Sequence, residues 1–203
     1  MTIEAKLVLY SVATKENAME VKLMIQSTPN PNAIKFVLSV PVKTEGKATY
    51  KNAADCKNNP LAQNVFSIPN VVEVYFFDNY ITVTQDGNVE WDVIEEQIKK
   101  VILDGIEAHD PNFVVEEKQQ IKAAPATPEI AKIEEILDRT IRPALQMDGG
   151  DLQIMGYDGN TLTVFYQGAC GSCPSSSAGT LKAIEGILQD EFNPEIVVEL
   201  AGS

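Results

Sequence analysis

Basic residues are scarce in this chain. Its 203 residues include 16 Lys and Arg against 29 Asp and Glu, giving a net charge of −13, and a single histidine. Binding to a nucleic-acid backbone rests on clustered Lys and Arg that displace counterions, and no such stripe is present. An anionic membrane surface would repel the chain for the same reason. No segment approaches the ~18 consecutive apolar residues of a spanning helix. The first residues show neither a basic leader with a cleavage site nor an Arg-rich, acid-poor transit pattern, so the expected location is cytoplasmic. Cysteine is also sparse. Three residues, an odd number, make no disulfide framework, and reduced thiols are expected.

What is present suffices for two small cores. Apolar residues make up 44% of the chain and charged residues 22%, within the globular range. The polar, Ala- and Pro-containing stretch EEKQQIKAAPATP at residues 116–128 has no apolar periodicity and reads as a linker. It separates an expected domain at residues 19–115 from a second at residues 129–203. In the first, strands are expected at 20–26 and 34–40 around Thr28-Pro29-Asn30-Pro31-Asn32. A short helix follows from Pro60 through Phe66, then a hairpin at 71–77 and 80–85. Trp91, Ile94, Ile98, Val101, Ile102 and Ile106 share one face of a further helix, and residues 113–115 suggest a last strand.

In the second domain, Ile130, Ile133, Leu137 and Ile141 mark one helix face, and Pro143 breaks or kinks that helix. Strands at 152–157 and 162–166 flank the turn Asp158-Gly159-Asn160. A helix from about Ser175 and a strand at 195–200 close the chain. The fold class expected is α+β: two small domains, each a small β-sheet packed with helices, joined by a flexible linker.

The residues that carry chemistry are Cys170 and Cys173, in Gly168-Ala169-Cys170-Gly171-Ser172-Cys173-Pro174. Two small residues between the thiols let both sulfurs turn toward one point. The helix N-terminus that follows favours thiolate, the form that binds metal, and Pro174 suits the first helical turn. Two thiolates do not complete a site, because structural zinc and iron–sulfur clusters commonly take four ligands. Cys56 could add a third. His109 sits beside Asp110-Pro111 at a helix end, where a surface role is expected. Two copies of the Cys-x-x-Cys pair would supply four thiolates about a two-fold axis. A thioredoxin-like dithiol using the same cysteines is the alternative, although the domain is short for a thioredoxin sheet.

The run Arg142-Pro143-Ala144-Leu145-Gln146-Met147-Asp148-Gly149-Gly150-Asp151-Leu152, followed by Gln167-Gly168-Ala169-Cys170-Gly171-Ser172-Cys173-Pro174-Ser175-Ser176, resembles the C-terminal domain of NifU, shared by the Nfu family. The first domain resembles the Nfu N-terminal domain through Thr28-Pro29-Asn30-Pro31-Asn32-Ala33-Ile34-Lys35-Phe36, Pro60-Leu61-Ala62, Phe66-Ser67-Ile68-Pro69 and Ile81-Thr82-Val83-Thr84. Ser177-Ala178-Gly179-Thr180 departs from the family pattern but touches neither ligand position. The resemblance implies a non-enzymatic iron–sulfur scaffold or carrier. Cys170 and Cys173 would hold a [4Fe–4S] cluster, with [2Fe–2S] the variant, between the two subunits of a homodimer. The cluster would come from assembly donors and pass to apo-protein clients.

Overall fold

The computed structural model describes residues 5–8, 21–115, 124–171 and 177–201, with side chains from residues 21–115, 124–171 and 179–201. The chain divides into two compact units, Met1–Gln120 and Ile121–Ser203.

In the first unit, β1 (Ala5–Val8), β2 (Leu23–Ser27), β3 (Ala33–Leu38) and β4 (Lys43–Tyr50) precede α1 (Pro60–Phe66). Then come β5 (Val71–Asp78), β6 (Tyr80–Gln85) and α2 (Trp91–Gly105). The six strands order as β1-β2-β3-β6-β5-β4, and the pairings are antiparallel. The Pro/Asn turn between β2 and β3 is held by its own polar side chains: Thr28 Oγ1 donates to Asn30 O at 3.0 Å and Asn32 N donates to Asn30 Oδ1 at 3.0 Å. Asn59 caps α1 by accepting from Ala62 N at 3.0 Å, with Pro60 in the first turn. The apolar face of α2 buries Ile94, Ile98, Ile102 and Leu103. They join Leu23, Phe36, Val74, Phe76 and Ile81 in one core.

β4 has no counterpart among the expected strands: a bulge between Lys43 and Lys47 breaks its alternation, and as an edge strand it buries few apolar side chains. One expectation fails here. Residues 113–115 form no strand. Phe113 instead packs its ring 5.7 Å from that of Phe76 and 6.4 Å from that of Tyr50, so burial draws in this apolar run without a ladder.

The second unit contains α3 (Pro128–Thr140), α4 (Arg142–Met147), β7 (Gly150–Asp158), β8 (Thr161–Gly168), α5 (Ser177–Glu191) and β9 (Val197–Leu200). Thr127 caps α3 by accepting from Ile130 N at 3.2 Å, and Pro143 falls in the first turn of α4, ending the helix before it. Ala124, inside the stretch expected as linker, donates to Ile154 O at 3.0 Å and packs on this core. β7 and β8 form an antiparallel hairpin, while β9 lies parallel to β8. A parallel partner requires a crossover, and α5 provides it between β8 and β9. Cys170 therefore lies between the central strand of a three-stranded sheet and this crossover helix. Cys173, Pro174, Ser175 and Ser176 lie outside the described residues.

Candidate metal centre

Cys170 stands on a turn that two glycines make possible. Gly168 at the end of β8 has φ +63° and Gly149 before β7 has φ +81°, left-handed values that an L side chain resists. Gly171 N donates to Gly168 O at 2.9 Å, closing the turn around Ala169 and Cys170. Ala169 N donates to Gly149 O at 3.1 Å, which ties this turn to the one before β7.

Gly150 serves a different purpose. A Cβ on it would lie 2.5 Å from Cys170 Sγ, 2.7 Å from Gln167 O and 2.9 Å from Cys170 N. The missing side chain is the notch in which the thiol rests. Cys170 is 7% exposed and belongs to the core that includes Leu152, Ile154, Val164 and Ile184. The thiol is thus held by packing rather than displayed on an open loop.

Arg142 anchors the glycine turn. Its Nη1 donates to Asp151 Oδ1 at 2.9 Å and to Leu152 O at 2.8 Å, and its Nε lies 2.7 Å from Asp138 Oδ1. Glu134 also pairs with the guanidinium. Burial alone would discourage the charge. The carboxylates of Asp151, Glu134 and Asp138 outweigh it and raise the pKa. Tyr166, on β8 opposite Leu152, closes the core side of the site. Its phenol is held well above the ordinary value, by burial first and by the charge of Cys170 second.

The other sequence candidates do not join the site. Cys56 is fully buried in the core of the first unit, where its thiol donates to Asn52 O at 3.3 Å. Burial foremost, and Asp55 second, push its pKa up to about 12, which suits an inert packing residue. His109, expected at the surface, is half-buried, with its ring 5.7 Å from that of Phe76 and Nε2 2.7 Å from Val42 O. Among the described residues, no group of three His, Cys, Asp or Glu side chains comes together to hold a metal ion. No helix among them is long and apolar enough to cross a membrane.

In the sequence, Asp148-Gly149-Gly150 reads as a turn, and Arg142, Asp151 and Tyr166 carry no individual role. The alternation that points Leu152 and Ile154 inward would place Asp151 on the opposite face, so its burial beside Arg142 is a tertiary feature.

The family described as "Scaffold protein Nfu/NifU N terminal" matches residues 23–109, and "NifU-like domain" matches residues 133–199. "NifU-like protein 4, mitochondrial" of Arabidopsis thaliana is 34% identical over 82% of this chain and 61% of that protein. "NFU1 iron-sulfur cluster scaffold homolog, mitochondrial" of Homo sapiens is 34% identical over 86% of this chain and 69% of that protein. A solution structure of a NifU-like protein from Saccharomyces cerevisiae covers 53% of this chain and 97% of that one, at 21% identity and a TM-score of 0.42. The chain spans about three fifths of the length of the plant relatives. The expectation of a cytoplasmic location is overturned, since these relatives carry mitochondrial names. Net charge and the composition of the first residues hold no address that survives such a comparison.

Proposed function

Because the chain belongs to the Nfu family of iron–sulfur cluster scaffold proteins, we propose that it carries a [4Fe–4S] cluster as cargo between two subunits and hands it to apo-protein clients. The cluster is held by Cys170 and Cys173 of each subunit and is neither transformed nor used for catalysis. The observation that carries this reading is the seat of Cys170: a thiol fixed in a glycine notch at a strand-to-helix junction, with no third donor gathered around it among the described residues. A soft sulfur ligand in an incomplete set calls for ligands from another chain. Met147, 70% exposed at the end of α4 and two residues before Gly149, offers apolar surface beside the site for that second copy.

A site shared at a seam suits transfer, since incoming client thiolates can replace the carrier's one at a time as the interface loosens. In this reading the first unit recognises clients or sets the dimer geometry, upstream assembly proteins supply the cluster, and the setting is mitochondrial, as for the relatives.

Anaerobic reconstitution with ferrous iron and sulfide tests the reading. About two irons per chain should load, with a shift from monomer to dimer mass. Four irons per chain at unchanged mass would refute the shared site.

A further inference from the structure

Among the described residues, Tyr166 presents a buried polar atom without a hydrogen-bond partner. It lies on the core face of β8 with Leu162 and Val164, 5% exposed. Its hydroxyl is enclosed and finds no hydrogen-bond partner among the described residues. Thr180, near the start of α5, lies close enough to ease the phenol's ionisation slightly, yet the pair does not reach hydrogen-bond geometry. A buried hydroxyl without a partner is unfavourable, and phenylalanine would fill the same space without that cost. Such a group calls for a partner that arrives later.

Tyr166 pairs with Leu152 across the hairpin, and Gly150, two residues before Leu152 on the same face, is where the Cys170 thiol rests, so phenol and thiol share one face and one core. A phenol holds its proton near neutral pH, so the Tyr166 hydroxyl is there a hydrogen-bond donor. A thiolate is an acceptor, and hydrogen bonds to cluster sulfurs help to set cluster stability and potential.

We propose that Tyr166 is a positioning residue for the cargo: its hydroxyl donates to the Cys170 thiolate when the cluster is bound, retaining the cluster and raising its reduction potential. The inference rests on the reading of Cys170 as a cluster ligand.

Tyr166→Phe in the full chain is the test, with three readouts. The melting temperature of the metal-free protein should stay equal or rise, because an unpartnered hydroxyl has been removed. In the reconstituted protein, cluster loss to a ferrous chelator should be roughly tenfold faster, the size expected for one hydrogen bond to a charged group. The reduction potential should shift to a more negative value. Tyr166→Leu, which also empties ring volume, should lower the metal-free melting temperature and so separates packing from hydrogen bonding. If Tyr166→Phe lowers that temperature while chelator loss and potential match wild type, the hydroxyl is structural and the inference is overturned. A loaded Tyr166→Phe protein identical to wild type in all three readouts overturns it equally. Failure of the wild-type chain to load would refute both this inference and the carrier reading, a result distinct from either of these.

Discussion

Arg142 and Asp151 meet at 2.9 Å, with Asp151 2% exposed at the start of β7 and the Arg142 side chain 12% exposed. The same guanidinium nitrogen also holds Leu152 O. One ion pair therefore joins the first turn of α4 to the strand whose opening residue, Gly150, seats the Cys170 thiol.

Arg142→Gln should destabilise the second unit by about 3–5 kcal/mol, since it leaves the Asp151 carboxylate buried and without its cation. The two units give separate transitions in this expectation. The single tryptophan, Trp91, reports only the first. Far-UV circular dichroism should show a transition at lower denaturant while Trp91 fluorescence is unmoved. Asp151→Asn should be milder, because Arg142 retains Glu134 and Asp138. Equal losses in both variants would mean that the charge of Asp151 is not what matters.

Gly150→Ala and Gly156→Ala form a matched pair on β7. A Cβ at Gly156 meets nothing within 4 Å, whereas at Gly150 it meets Cys170 Sγ and two backbone atoms. Gly150→Ala should cost about 1–3 kcal/mol through overpacking and lose cluster loading. Gly156→Ala should load as wild type. Iron counting after reconstitution, beside melting of the metal-free proteins, reads both. Normal loading by Gly150→Ala would show that the notch is dispensable.

Cys170→Ala and Cys173→Ala should each abolish stable loading. Cys56→Ala should load normally and cost the first unit about 1 kcal/mol for the buried sulfur. With its pKa near 12 and no exposed surface, Cys56 should resist alkylation near neutral pH in the folded protein. Mass spectrometry after timed alkylation would check this, and prompt labelling of Cys56 would contradict its burial.

His109 predicts a pH dependence confined to the first unit. Burial foremost holds its pKa below the ordinary 6.5, against the opposing pull of Val42 O and Asp110. The folded state then binds fewer protons than the unfolded state near that pH. Stability from this group is full above about pH 6.5 and is lost as the pH falls through the folded value. Denaturation followed by Trp91 fluorescence should give a lower midpoint at about pH 5.5 than at about pH 7.5. His109→Gln should flatten that difference. An undiminished pH effect in the variant would assign it to other groups.

Local chemistry determined much of this protein from its sequence. The Pro/Asn turn, the Pro60 helix start, the inward face of α2, the break at Pro143 and the Asp158-Gly159-Asn160 hairpin all follow from short-range sterics and periodicity. The Cys-x-x-Cys pair stood out because thiols in so cysteine-poor a chain have few other uses. Tertiary structure decided the rest. β4 exists because β5 offers it a ladder, not because its residues prefer one. The buried pairing of Arg142 with Asp151, the notch at Gly150 and the burial of the Tyr166 hydroxyl depend on which backbones approach and which side chains lose water. Those are properties of packing between segments far apart in sequence, and no local pattern encodes them.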